Sequence, residues 1–180
     1  MKKWVKIILI TVGLIGVIIG ALYFYAYYFF NQKYIPKENS YKERVAYINP
    51  ENSIASDGFE TCNEYIYDYY NPERAQYMNG KKELRKFILN NYRNLGFSDS
   101  GYLNIRFVIN CEGKVGRYVT HENDLDLNPI KFNSKLKTQL LQLTRELKQW
   151  KPNIIRGDTV DSYMYISYRI ENGEITEIIP

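Results

Sequence analysis

Two cysteines, one histidine and a short acidic run are the residues through which this chain could do chemistry. A structural zinc site normally takes four ligands of the Cys and His types, and the two cysteines and single histidine supply too few. His121 is the one imidazole around which a nucleophile–base pair could be built, and it precedes the acidic turn Glu122-Asn123-Asp124. No G-x-S-x-G, Walker, C-x-x-C or paired-carboxylate pattern accompanies it. Glu122, Asp124 and Asp126 alternate as in a cation loop but lack the glycine and distal glutamate of an EF-hand, so they read as a solvated acidic loop. The sequence therefore points away from an enzyme and calls for no cofactor or metal. Cys62 and Cys111 remain. In an oxidising compartment they can pair, closing a loop of about 50 residues worth ~4 kcal/mol in the chain-entropy model. The alternative is two buried thiols, or one buried and one exposed.

Tyrosine is the second unusual feature, with 18 copies. Tyr65, Tyr67 and Tyr69 alternate with Glu64, Ile66 and Asp68, as an edge strand or an irregular wrap over a domain would. Aromatic platforms for single-stranded nucleic acid look similar but need basic surroundings. Glu60, Glu64, Asp68 and Glu73 give the opposite charge, and the formal net charge of +4 is too small to argue for a nucleic-acid partner.

The elements that must carry these residues begin with an anchor. Lys2, Lys3 and Lys6 precede residues 7–30, which hold no charge, and Trp4 and an aromatic run from Tyr23 to Phe30 mark the two ends. From Trp4 to Tyr23 a helix rises roughly 29 Å, the thickness of a bilayer core. The run is too long for a signal-peptide core and lacks a small-x-small cleavage site. The lysines place the N-terminus in the cytoplasm, so the remainder lies outside it. Gly16 and Gly20 form a G-x-x-x-G through which two anchors could pack as a homodimer. The expected organisation is 1–30 cytoplasmic tip and transmembrane anchor, 31–58 linker with Pro36 and Pro50, 59–79 Tyr-rich lead-in, and 80–180 folded domain.

Within 80–180 the period alternates between helix and strand. Leu84, Phe87, Ile88, Tyr92 and Leu95 fall at helical spacing over 81–95, ending at Gly96. Leu103, Ile105, Phe107 and Ile109 alternate as the buried face of a strand. A turn at Cys111-Glu112-Gly113-Lys114 leads to Val115, Arg117 and Val119, which continue that alternation. Asn133 or Ser134 can cap a second helix whose stripe is Leu136, Leu140, Leu143, Leu147 and Trp150, stopped by Pro152. Val160, Met164, Ile166, Tyr168 and Ile170 face inward on a further strand. Asn172-Gly173 is a hairpin signal that folds 174–179 back as a terminal strand. The expected class is α+β, with two helices over one face of a small sheet. The other face, carrying Arg106, Arg117, Tyr163, Tyr165 and Arg169, is left for solvent or a partner.

The run Gly101-x-Leu103-x-Ile105-x-Phe107-Val108-Ile109-Asn110-x-x-Gly113-Lys114-Val115 resembles the hairpin of the TonB C-terminal domain family. Trp150-Lys151-Pro152 followed by Gly157-Asp158-Thr159-Val160 is similar to that family's W-x-P…G-x-x-V segment. Tyr77-Met78-Asn79-Gly80 before an amphipathic helix is similar to the aromatic-x-G-G lead-in of its Bacteroidetes-type members. The resemblance covers roughly 73–180. It implies an inner-membrane anchor, a periplasmic domain, an outer-membrane transporter whose extended segment adds to a sheet edge, and an ExbB–ExbD-type motor. On this chain the candidate edge is 161–170 or 174–179, with Tyr163, Tyr165 and Arg169 as exposed contacts. The sequence departs from the family in two respects. The anchor lacks the Ser and His of energised members, its one non-tyrosine hydroxyl being Thr11, and the long Pro-rich spacer is missing. Residues 31–71 would reach at most ~140 Å fully stretched and ~35 Å as a relaxed coil.

Overall fold

A computed structural model describes residues 3–33, 47–54, 58–68 and 72–179, and the side chains of these except 31–33. Most of the expected linker, including Pro36, and Tyr69 of the lead-in lie outside the described residues. The chain forms two separate units, divided within that linker.

The first unit contains α1 (Lys3–Lys33), a single helix. Its segment Lys3–Phe30 is long and apolar enough to cross a membrane, and its apolar side chains from Trp4 to Phe30 are exposed. Gly16 and Gly20 lie on this helix with open space where a Cβ would sit.

The second unit is α+β. Its sheet contains β2 (Gly101–Ile109), β3 (Val115–Asn123), β7 (Ser162–Glu171) and β8 (Glu174–Ile179), in the order β3-β2-β7-β8 with every neighbour antiparallel. Two helices, α2 (Gly80–Asn91) and α3 (Ser134–Glu146), supply the other side of the main core. Two short pairs complete the fold. β1 (Gln76–Tyr77) pairs with β4 (Trp150–Lys151), and β5 (Asn153–Ile155) turns back onto β6 (Asp158–Val160).

The core follows the alternation that β2 advertises. Leu103, Ile105, Phe107 and Ile109 are fully buried, as are Ile166, Tyr168 and Ile170 opposite them on β7. From α3 the stripe Leu136, Leu140 and Leu143 packs on them, and Leu147 and Trp150 extend it beyond the helix end. Asn133, not Ser134, caps that helix, its side chain accepting from the Lys135 N–H. Trp150 joins Tyr77 and Phe107 in edge-to-face contacts at 5.6 and 5.4 Å, geometry that adds to plain area burial. Tyr168 is the largest fully buried side chain. Thr144 Oγ1 donates to the Leu140 carbonyl, so the 2.8 Å contact between the two hydroxyls has Tyr168 as donor.

Three local expectations are corrected. Helix α2 stops at Asn91, because Tyr92 turns extended and the Asn94 side chain accepts from the Gly96 and Phe97 N–H groups. Leu95 consequently lies exposed rather than in the buried stripe. On β3 the alternation breaks at Arg117, where φ is +54° and the register against β2 shifts. That bulge inserts one residue and so reverses the facing of the residues beyond it. Val115 and Tyr118 reach the main core, while Val119 is carried to the opposite face. Val160, expected on the long strand, lies in β6 instead.

Candidate functional site

The face of the sheet away from the helices is not open at both ends. Residues 47–54 and 58–68 lie on it as an irregular strap touching the sheet through isolated backbone pairs. Ile54 donates its N–H to the Tyr118 carbonyl at 2.7 Å. Tyr67 donates to the Asp161 carbonyl and accepts from the Tyr163 N–H, both at 2.9 Å, as one rung of a parallel ladder. Ile48 and Ile66 bury themselves against Val108 and Tyr163, with Phe59 and Val119 at the margin. Of the two readings of the Tyr-rich lead-in, the irregular wrap is the one found.

This changes the standing of the proposed contact residues. Tyr163 is 6% exposed. Burial pushes its hydroxyl up to about 12, against the lowering effect of a hydrogen bond from the Ile48 N–H. It therefore cannot be an exposed contact while the strap is in place. Arg117 is also covered, with its guanidinium 6.0 Å from the Phe59 ring centre, and burial lowers its pKa. Tyr165 and Arg169 are half-buried, and Arg169 Nη2 lies 2.9 Å from Glu171 Oε1. The candidate edge 161–170 is corrected as well. From Ser167 to Glu171 β7 lies between β2 and β8, so its ladder groups there face neighbours on both sides, while at its start Tyr67 of the strap takes the place of β8. The terminal candidate is the one at the rim. β8 has no strand on its outer side among the described residues, and Thr176, Glu177 and Ile179 are exposed along it.

Cys62 and Cys111 form a disulfide with a Cα–Cα distance of 6.0 Å. It joins the strap to the hairpin between β2 and β3, and a second group holds the same junction. Asp161 is fully buried, with Oδ1 accepting from the Cys111 N–H and Oδ2 from the Asn63 N–H, each at 2.8 Å. One carboxylate thus holds the backbone at one cysteine and next to the other. Asn110 adds a third tie, its Nδ2 donating to the Glu60 carbonyl while its Oδ1 accepts from Glu112 and Lys114 in the turn. The sequence offered no signal for Asp161, because its partners lie about 50 and 98 residues away. Among the described residues, the two sulfurs and an Asp161 oxygen form a group with metal-ligand spacing, within 4.8 Å of one another. The bond between the sulfurs occupies two of those three donors.

The acidic run has a structural task. Glu122, expected in a solvated loop, instead accepts from the Phe132 N–H and pairs with Lys137 at 2.9 Å. Asp124 accepts from the Asp126 and Asn128 N–H groups. Hydrogen bonds from Asn128 are the main reason its carboxyl lies below its ordinary value. His121 is exposed at the strand end, its pKa lowered by burial of part of the ring and then by Arg106. An open cleft of about 460 Å³ beside the hairpin turn is lined by Phe59, Lys114, Tyr118, Arg145 and Lys148 among others. In it Lys114 pairs with Glu112 and Arg145 lies over the Tyr118 ring.

No protein-family model, curated protein or solved structure matches this chain.

Proposed function

We propose that this protein is an inner-membrane anchor displaying a periplasmic TonB-like domain that binds an extended segment of an outer-membrane transporter. The segment would add to β8. One observation carries the reading: β8 closes an antiparallel sheet with no strand beyond it among the described residues, and Glu174, Thr176, Glu177 and Ile179 are exposed along it. Strand addition needs such a rim, where backbone groups supply affinity and alternate side chains supply selectivity. The disulfide supports an oxidising compartment, and α1 supports the anchor. Residues 7–30 hold no Asp, Glu, Lys, Arg or His through which an ExbB–ExbD-type motor could couple protons. The role proposed is therefore binding and display, with pairing of anchors through Gly16 and Gly20.

A specific observation favours a second reading, in which the domain binds a peptide near the inner membrane as an envelope structural or signalling protein. Because the strap belongs to the domain, only about 14 residue steps run from Lys33 to Tyr47, a tether of at most ~50 Å.

Photocrosslinking in cells separates the two. A photoreactive residue at Thr176 or Glu177 is expected to capture an outer-membrane transporter. Capture of inner-membrane proteins alone selects the second reading, and no adduct from either position removes β8 as the docking edge.

A further inference from the structure

The strap is built as a separable part. Its apolar contacts form their own small cluster of Ile48, Ile66, Val108 and Tyr163, which shares no residue with the main core beneath the helices. Its backbone pairs are single rungs at Ile54 and Tyr67 rather than a continuous ladder. What concentrates its attachment is the junction at Cys62, Cys111 and Asp161. Cys62 is exposed and Cys111 partly so, which leaves the strap-side sulfur open to attack.

We propose that Cys62–Cys111 is a reducible latch, with Asp161 as its positioning residue, and that opening it lets the strap leave the backbone at the start of β7. A dithiol reductant attacks Cys62 Sγ, the S–S electron pair passes to Cys111 sulfur, and that thiolate takes up a proton. The reductant's second thiol then displaces Cys62 and leaves as an internal disulfide. Two protein thiols and one oxidised dithiol are the products. With the latch open, local separation of the strap frees the Asp161 carbonyl and the Tyr163 N–H that Tyr67 had engaged. It also bares the seat of Ile66 against Val108 and Tyr163. In the closed form Tyr67 occupies this edge as a one-residue mimic of an added strand. When the strap reseats, Asp161 brings the two thiols back together, because its two oxygens hold the backbone on both sides of the gap. The inference does not depend on what β8 binds.

The test is hydrogen exchange on the full-length protein in detergent micelles, with and without dithiothreitol. In the reduced sample the Ile54, Tyr67 and Tyr163 amides should exchange at least about tenfold faster than the Ile105 and Ile166 amides, with little denaturant dependence, as local opening requires. If the strap amides stay as slow as in the oxidised protein, the strap needs no latch and the proposal fails. If strap and core amides accelerate together, the disulfide serves only global stability and the proposal also fails. Cys62→Ser with Cys111→Ser should reproduce the reduced pattern without reductant, and the reduced wild type suffices if that variant does not fold. For Asp161→Asn, reoxidation of the folded, reduced protein in a glutathione buffer should slow about tenfold. An unchanged rate would remove Asp161 from the latch.

Discussion

Four tyrosines, Tyr92, Tyr118, Tyr163 and Tyr168, are buried in this domain. Burial pushes Tyr92, Tyr118 and Tyr163 up to about 12 and Tyr168 still higher, with nearby Glu174 and Asp99 adding to the effect at Tyr92. Each keeps its proton more tightly folded than unfolded. Stability should therefore hold up to about pH 10, the unfolded value, and fall as pH rises toward 12, because unfolding then releases protons. Circular dichroism and tyrosinate absorbance tracked together should show ionisation and unfolding as one cooperative step. Early titration of all tyrosines in a still-folded protein would contradict the burial. That these residues sit inside was partly legible. Tyr92 and Tyr168 fell on apolar stripes, whereas Tyr118 was masked by the Arg117 bulge and Tyr163 by a strap from residues a hundred positions earlier.

At the level of elements, the β7–β8 hairpin decides which backbone is at the rim. Asn172 and Gly173 both take positive φ, at 52° and 77°, the conformation that a tight two-residue turn demands and glycine accepts without strain. A Cβ on Gly173 would also run into the Phe97 carbonyl oxygen, and Tyr92 Oη donates to the Gly173 carbonyl from the end of α2. Gly173→Ala should thus cost about 2–3 kcal/mol, from the turn conformation and the clash combined. Chemical denaturation would measure it, and a loss under about 0.5 kcal/mol would show that the turn tolerates a side chain. The Asn-Gly pair made this hairpin legible from two letters. The short pairs β1–β4 and β5–β6 were not, because strands of two or three residues carry too little alternation to stand out.

For the molecule as a whole, the strap matters most for reach. Counting 31–71 as linker gave a stretched length of ~140 Å, whereas Lys33 and Tyr47, the first described residue of the strap, are joined by at most ~50 Å of chain. Opening the latch would return roughly 25 residues to the tether, so the same device that covers the β7 edge would set how far the domain extends. The anchor carries its own expectation. Replacing Ile15 and Ile19 with lysine places two charges mid-helix at a cost of roughly 2.5–3.5 kcal/mol each on insertion scales. The protein should then move from the carbonate-resistant membrane fraction to the soluble fraction. Retention in the pellet would count against α1 as the spanning element.

Composition and periodicity alone determined the long apolar N-terminal helix, the α+β class, the helix–hairpin–helix–strand order and the inward residues of β2, β7 and α3, because each is written in neighbours a few positions apart. Only the tertiary structure decided that β7 is interior from Ser167 onward with β8 the rim, that a bulge at Arg117 turns Val119 to the far face, and that Tyr163 is covered. It also decided that Asp161 serves both sides of the disulfide. The cover over Tyr163 and the Asp161 junction depend on contacts between segments about 50 to 100 residues apart, and the bulge and the rim on how neighbouring strands register, geometry that no local pattern records.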